Sequence, residues 1–164
     1  MRRSISIFGA TGSVGQNTVS LIAEQGGADA YETVALTGAG NVGLLASQAR
    51  ALKARIAVTA VPDRLGELTR ALAGSGIAVA AGPEAIAAAA AVAVDWAMSA
   101  IVGAAGVVPS LRLARHGGVL ALANKETVVC AGDLLRRTCH ENGTRLIPVD
   151  SEHSAIFQCL HAGA

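Results

Sequence analysis

Asp150 and Glu152 stand two positions apart in the segment Pro148-Val149-Asp150-Ser151-Glu152-His153, directly after the apolar pair Leu146-Ile147. If that pair belongs to a strand and a helix follows, both carboxylates lie at the C-terminal end of the strand. In open α/β sheets that edge is where ligands bind. Two hard oxygen donors there suit a divalent cation, Mg2+ or Mn2+ rather than Zn2+. The plainer alternative is a helix cap followed by a first-turn acid. Ser151 and His153 add polar groups, with His153 a helix-start residue rather than a ligand. A cation site ordinarily needs more ligands than these two carboxylates, and the sequence ends at Ala164, 12 residues after Glu152.

A second group of chemically suggestive residues lies at the other end of the sequence. Gly9-Ala10-Thr11-Gly12-Ser13-Val14-Gly15 follows the apolar segment Ser4–Phe8. At a strand-to-helix junction the three glycines have distinct uses. Gly9 permits a sharp exit from the strand, Gly12 allows close approach of a pyrophosphate, and Gly15 allows tight helix packing. Thr11 and Ser13 add hydroxyl donors, and the helix N-terminus favours an anion. The expected ligand is a dinucleotide. The next strand ends Thr37-Gly38-Ala39-Gly40-Asn41 without the acid that NAD-selective sites use to hold the ribose diol. A 2′-phosphate is not repelled there, and Asn41 at a helix start could receive it, so NADP(H) is expected. A third junction, Ala121-Leu122-Ala123-Asn124-Lys125-Glu126-Thr127, carries a capping Asn124, a cation at Lys125 and an acid at Glu126. Lys125 could hold a substrate oxygen, and Glu126 a ribose hydroxyl, against the plainer reading of a capped helix with exposed charges.

Positioning all three groups on one edge requires a parallel sheet, and the pattern along the chain supplies one. Strands are expected at Ser4–Phe8, Thr33–Thr37, Arg55–Thr59, Gly76–Ala81, Val92–Ala100, Val119–Ala123 and Thr144–Val149. Helices are expected from Ser13 to about Gln25 with Gly26-Gly27 as the stop, and from the Asn41 cap to about Leu52. Further helices run from Pro62-Asp63 to about Ala73, over Pro83–Ala90 and Pro109–His116, from Lys125 to about Glu141, and over Glu152–His161. Strands alternating with helices imply right-handed crossovers and a mostly parallel sheet covered on both faces. The fold class is α/β, a Rossmann-type doubly wound domain over residues 1–164, undivided by any linker, repeat or charge run.

Composition narrows the function. Hydrophobic residues make up 52% of the 164 residues but aromatics only 2%, so Ala, Val, Leu and Ile must build the core and no aromatic platform exists for stacking bases. A formal net charge of +1 provides no basic field for nucleic acid. The Ala-rich stretch 85–94 is interrupted by Asp95 and is too short to span a bilayer. The N-terminus lacks the long apolar segment of a signal peptide, so a cytoplasmic protein without a membrane partner is expected. Cys130, Cys139 and Cys159 lack metal or redox spacing and read as buried or free thiols in a reducing compartment. His116, His140 and His161 fall near helix ends and read as exposed or as partners of helix carbonyls.

Taken together, the glycine loop, the Ala121–Glu126 motif and the segment Pro148–Gln158 resemble the 1-deoxy-D-xylulose 5-phosphate reductoisomerase family, in that order along essentially the whole chain. The resemblance implies an NADPH- and divalent-metal-dependent enzyme of non-mevalonate isoprenoid biosynthesis. Such an enzyme rearranges the carbon skeleton of a sugar phosphate and then reduces the resulting aldehyde by hydride. Carried onto this sequence, it implies Asp150 and Glu152 as metal ligands, and Lys125, Ser151 and Glu152 as substrate contacts. It implies Lys125, Asp150 and Glu152 as the catalytic group. Thr11, Gly12, Ser13, Val14, Asn124 and Glu126 become NADPH contacts, with Ala39, Gly40 and Asn41 around the adenosine phosphate. Many relatives carry a basic residue where this chain has Gly40. Family members are dimers and continue for more than this length again, supplying a third metal carboxylate, a phosphate pocket, a closing loop and a helical domain. The resemblance therefore implies the N-terminal nucleotide-binding part, binding NADPH without turnover on its own. Two other readings compete: a semialdehyde-dehydrogenase-like reductase, which needs a nucleophilic Cys at the substrate edge, and a domain that senses the dinucleotide without chemistry.

Overall fold

The structure, a computed structural model, describes residues 2–149 together with 155 and 159. Seven strands form one sheet: β1 (Arg3–Phe8), β2 (Tyr31–Gly38), β3 (Ile56–Thr59), β4 (Ala78–Ala81), β5 (Trp96–Ser99), β6 (Val119–Leu122) and β7 (Arg145–Pro148). Their order is β4-β3-β2-β1-β5-β6-β7, and every neighbouring pair is parallel. Each return therefore needs a crossover, and each crossover contains a helix: α1 (Ser13–Glu24), α2 (Gly27–Ala30), α3 (Val42–Ala51), α4 (Leu65–Ala71), α5 (Pro83–Ala89), α6 (Val107–Leu113) and α7 (Lys125–Asn142). The order reverses between β1 and β5. At such a switch point the connections leave in opposite directions and open a crevice beyond the strand ends.

Both faces of the sheet are covered, so the strands are apolar almost throughout. Ile5, Ile7, Leu36, Ala57, Met98 and Ala121 meet helices α1, α3 and α4 through Val19, Ile22, Leu45, Ala49 and Leu68. Phe8, Val58, Ala97, Leu120 and Leu122 meet α5, α6 and α7 through Ile86, Ala89, Leu113, Leu135 and Cys139. Small residues on both sides let helices lie close to the sheet without large aromatics. The β1–β2 register shifts between Ile5 and Ser6, whose partners are Thr33 and Ala35. Val34 is the extra residue of this bulge, and it joins Ala35 in the second cluster.

The elements expected before residue 150 are present, with three differences of physical interest. β5 is shorter than Val92–Ala100 because Asp95 is taken by another partner. Its carboxylate accepts from the Ser4 backbone N–H at 2.7 Å and the Ser4 hydroxyl at 2.8 Å, and its own N–H donates to Ser4 Oγ at 2.9 Å. Gly26-Gly27 does not lead straight into β2. Gly26 adopts φ 104°, and the one-turn α2 follows. Helix α7 is bent at Ala131, where φ is −143° and ψ 24°. Of the helix expected over Glu152–His161, only Ala155 and Cys159 are described, both helical, and the rest lies outside the described residues. Among those described, no helix is long and apolar enough to cross a membrane.

Candidate functional site

The glycine loop sits at the crevice. Gly9 has φ +89°, and a Cβ there would lie 2.5 Å from Ala100 O, because β1 and β5 leave the sheet against each other. A Cβ on Gly15 would lie 2.1 Å from Gly9 O and 2.6 Å from Ala10 Cα, so α1 starts directly against the loop. Gly12 differs from both. Its nearest atom would be Gly9 O at 3.5 Å, an ordinary contact, and the residue is exposed. The protein leaves the space beside Gly12 open. Gly12 is also the N-cap of α1, with no side-chain cap and no acid in the first turn. The N–H groups of that turn therefore face outward without a protein carboxylate, the arrangement that accepts an anion.

The loop is held from three sides. Gly9 N–H donates to Thr37 Oγ1 at 3.0 Å, Gln16 Nε2 to Thr11 O at 3.0 Å, and the buried Gln48 of α3 to Ala10 O at 3.0 Å. Thr11 leans toward the end of β2, so close that a Cβ on Gly38 would lie 3.0 Å from its methyl group. Ser13 is exposed, while Thr11 and Val14 are half-buried.

Across the crevice stands the β6–α7 junction. Asn124 is 3% exposed. Its Oδ1 accepts from Thr127 N at 2.7 Å and caps α7 as expected. Its Nδ2 reaches the loop after β5, donating to Ile101 O at 2.5 Å and Gly103 O at 3.0 Å, and lies 3.1 Å from Glu126 Oε2. The side chain is thus spent inside the protein. Lys125, exposed, and Glu126, half-buried, face the glycine loop across a cleft of about 210 Å³. Gly12, Ser13 and Val14 form one wall, Ala123, Lys125 and Glu126 the other, and Ala100, Ile101 and Val102 lie between them.

At the end of β2, Ala39, Gly40 and Asn41 are exposed. Asn41 Oδ1 accepts from Leu44 N at 3.1 Å, and Thr59 Oγ1 donates to Ala39 O at 2.9 Å, fixing this loop to β3. A Cβ on Gly40 would meet nothing within 4 Å. Asp150, Ser151, Glu152 and His153 lie outside the described residues. The chain leading to them leaves the sheet at the same edge, since Val149 N donates to Leu122 O at 3.0 Å. Among the described residues no group of three or more His, Cys, Asp or Glu side chains gathers to hold a metal. Neither Cys130, exposed on α7, nor Cys139, buried, lines the cleft. Burial pushes the Cys139 thiol above its ordinary range, away from the reactive thiolate.

A family model described as 1-deoxy-D-xylulose 5-phosphate reductoisomerase matches residues 5–132, most of the chain. The chain belongs to the 1-deoxy-D-xylulose 5-phosphate reductoisomerase family. The reductoisomerase of Paracoccus denitrificans is 60% identical over 159 residues, covering 97% of this chain and 41% of the relative. That of Cereibacter sphaeroides is 61% identical over 158 residues, covering 96% and 40%. The chain thus spans about 40% of the length of the curated relatives it matches. Among solved structures, the reductoisomerase of Zymomonas mobilis in complex with NADPH superposes with a TM-score of 0.93 at 46% identity over 97% of this chain and 41% of its own. A reductoisomerase solved with NADPH, fosmidomycin and magnesium gives 0.88 at 38% identity, over 96% and 38%.

Besides the glycine loop and the Asn124 junction, the cleft has a third part that no sequence motif marked. Ile101 and Val102 line its floor, and Gly103 turns there with φ +81°. The signal was a glycine following a buried strand at the same edge, the logic already applied to Gly9. Gln48, as the holder of Ala10, had no local signal, since 38 residues separate the two.

Proposed function

We propose that this chain is the NADPH-binding domain of a 1-deoxy-D-xylulose 5-phosphate reductoisomerase. The observation that supports this most is the pairing of an open, uncapped phosphate loop at Gly12 with Lys125 and Glu126 across one cleft. On this reading the pyrophosphate rests on the N–H groups of Ser13 and Val14, flanked by the Thr11 and Ser13 hydroxyls. Ala39, Gly40 and Asn41 take the adenosine ribose with its 2′-phosphate, and the absence of an acid at the end of β2 leaves that phosphate unopposed. Lacking a basic residue at position 40, the chain relies on the backbone and the α3 N-terminus for that recognition. The nicotinamide half then lies toward Ile101, Val102 and the start of α7. There Glu126 offers an acceptor to a ribose hydroxyl, Asn124 holds the cleft wall, and Lys125 offers a cation to the substrate.

Asp150 and Glu152 fit a hard divalent cation by the chemistry of their donors, and Ser151 between them offers a hydroxyl to the same substrate. When bound, such a cation, Mg2+ or Mn2+, polarises the oxygens of a carbonyl substrate. The whole protein's reaction on this reading is the isomerisation and NADPH-dependent reduction of 1-deoxy-D-xylulose 5-phosphate to 2-C-methyl-D-erythritol 4-phosphate, in the cytoplasm and as a homodimer. A cysteine-dependent semialdehyde reductase is disfavoured by the placement of Cys130 and Cys139 away from the cleft. Calorimetric titration with NADPH and NADH tests the proposal. NADPH is expected to bind more tightly, and tighter NADH binding, or none of either, overturns it.

A further inference from the structure

We propose that Thr127 is a positioning residue for the nicotinamide half of the cleft, acting through Asn124. The inference rests on the NADPH-binding reading above. Asn124 joins two separate pieces of chain. Its carbonyl oxygen caps α7, and its amide nitrogen holds the Ile101–Gly103 loop, 21 to 23 residues away. The cap alone requires only the Thr127 backbone N–H. The structure places a second donor on the same oxygen, the Thr127 hydroxyl. Two donors from α7 onto Oδ1 fix which way the amide faces, because a turned amide would set Nδ2 against two donors and Oδ1 against two carbonyls.

The Thr127 hydroxyl is in turn held by a chain of buried groups. Its one proton faces two acceptors, Asn124 Oδ1 and Ser110 Oγ at 3.2 Å, while Ser110 spends its own proton on Gly106 O at 2.6 Å and is left to accept from Thr127 and from Ser99 Oγ, 2.8 Å away. Ser99, Ser110 and Thr127 are each 0% exposed. No solvent can replace a hydroxyl lost from this set, so its loss is felt by its partners. The same turn is tightly packed, since a Cβ on Gly106 would lie 2.6 Å from Ile101 O and 2.8 Å from Asn124 Nδ2. The network thus sets the cleft floor, Ile101 and Val102, relative to the wall that carries Lys125 and Glu126. None of its hydrogen bonds reaches the phosphate loop or the end of β2.

That separation gives the test. Adenosine 2′,5′-bisphosphate occupies only the adenosine half of a dinucleotide site, whereas NADPH spans both. Dissociation constants for each ligand are measured for the unaltered chain, Thr127→Val and Thr127→Ser. Thr127→Val is expected to weaken NADPH about tenfold, the weight of one lost buried hydrogen bond, with the bisphosphate unchanged. Thr127→Ser, which keeps the hydroxyl, is expected to restore NADPH binding. Equal NADPH affinity in Thr127→Val, equal weakening of both ligands, or no rescue by Thr127→Ser overturns the proposal. If Thr127→Val does not fold, Thr127→Ala carries the same two-ligand comparison. An unaltered chain that binds no NADPH refutes the underlying reading, and this proposal with it.

Discussion

Three glycines in one loop serve three different ends, and the distances separate them. Gly15 is glycine because a methyl group would strike backbone at 2.1 Å, where no side chain can give way. Gly15→Ala is therefore expected to cost about 1–3 kcal/mol of stability, read as a lowered thermal midpoint. Gly12 has an ordinary φ of −78° and a free distance of 3.5 Å. Gly12→Ala should leave the midpoint unchanged and weaken NADPH, because the methyl occupies the space the ligand needs. A destabilised Gly12→Ala chain would show that the space belongs to the fold instead. Asp95 supports a second residue-scale prediction. The Ser4 backbone N–H, then the Ser4 hydroxyl, and to a lesser degree Arg3, hold its carboxyl below the ordinary range. A depressed folded pKa means stability that is present above the unfolded value and lost as pH falls through the folded one. Urea midpoints for Asp95→Asn should be lower at neutral pH and fall less steeply below about pH 4 than those of the unaltered chain. Parallel curves would mean that the Ser4 clamp is energetically silent.

At the scale of elements, helix α7 does two jobs along one axis. Its first turn presents Lys125 and Glu126 to the cleft, and its last turns bury Leu135 and Cys139 against the sheet. The bend at Ala131 falls between the two. Alkylation with iodoacetamide at pH 8 tests this division. Cys130 and Cys159, both exposed, are expected to react in the folded chain, and Cys139 only on unfolding, with NADPH affinity unaltered by the modification. Loss of NADPH binding on labelling would draw Cys130 into the site. Much of this was legible in sequence, because strands and helices in a doubly covered sheet announce themselves by apolar blocks and by Gly, Pro and Asn at the junctions. The alternation, the glycine loop and the Asn124 cap are all local signals. The overreach at β5 came from reading Val92–Val94 as strand, when Asp95 is tied to Ser4, 91 residues away. The reach of Asn124 to Ile101 and of Gln48 to Ala10 was invisible for the same reason: each depends on which segments the fold brings together.

The whole molecule explains why residues near positions 12, 40, 102 and 125 can share one ligand. An all-parallel sheet sends every strand toward the same edge, and the reversal between β1 and β5 opens that edge where the phosphate loop lies. The groups assigned to the dinucleotide follow strands β1, β2, β5 and β6. The carboxylates Asp150 and Glu152 follow β7, at the far side of the sheet order. On the proposed reading the cofactor groups and the two carboxylates follow different strands of the sheet, and among the described residues no group of three or more His, Cys, Asp or Glu side chains gathers to hold a metal. NADPH affinity of this chain should consequently be the same in EDTA as in millimolar Mn2+, as measured by calorimetry. Turnover is another matter. The chain spans about 40% of its relatives' length, and the two carboxylates proposed as ligands would fill only part of a divalent ion's six or more coordination positions. The 164-residue chain is expected to bind NADPH but not to oxidise it when given 1-deoxy-D-xylulose 5-phosphate and Mn2+. Steady NADPH oxidation at a rate near that of a full-length relative would mean that the chain carries a complete catalytic site. A strong dependence of NADPH affinity on Mn2+ would mean that the cation and cofactor sites are one.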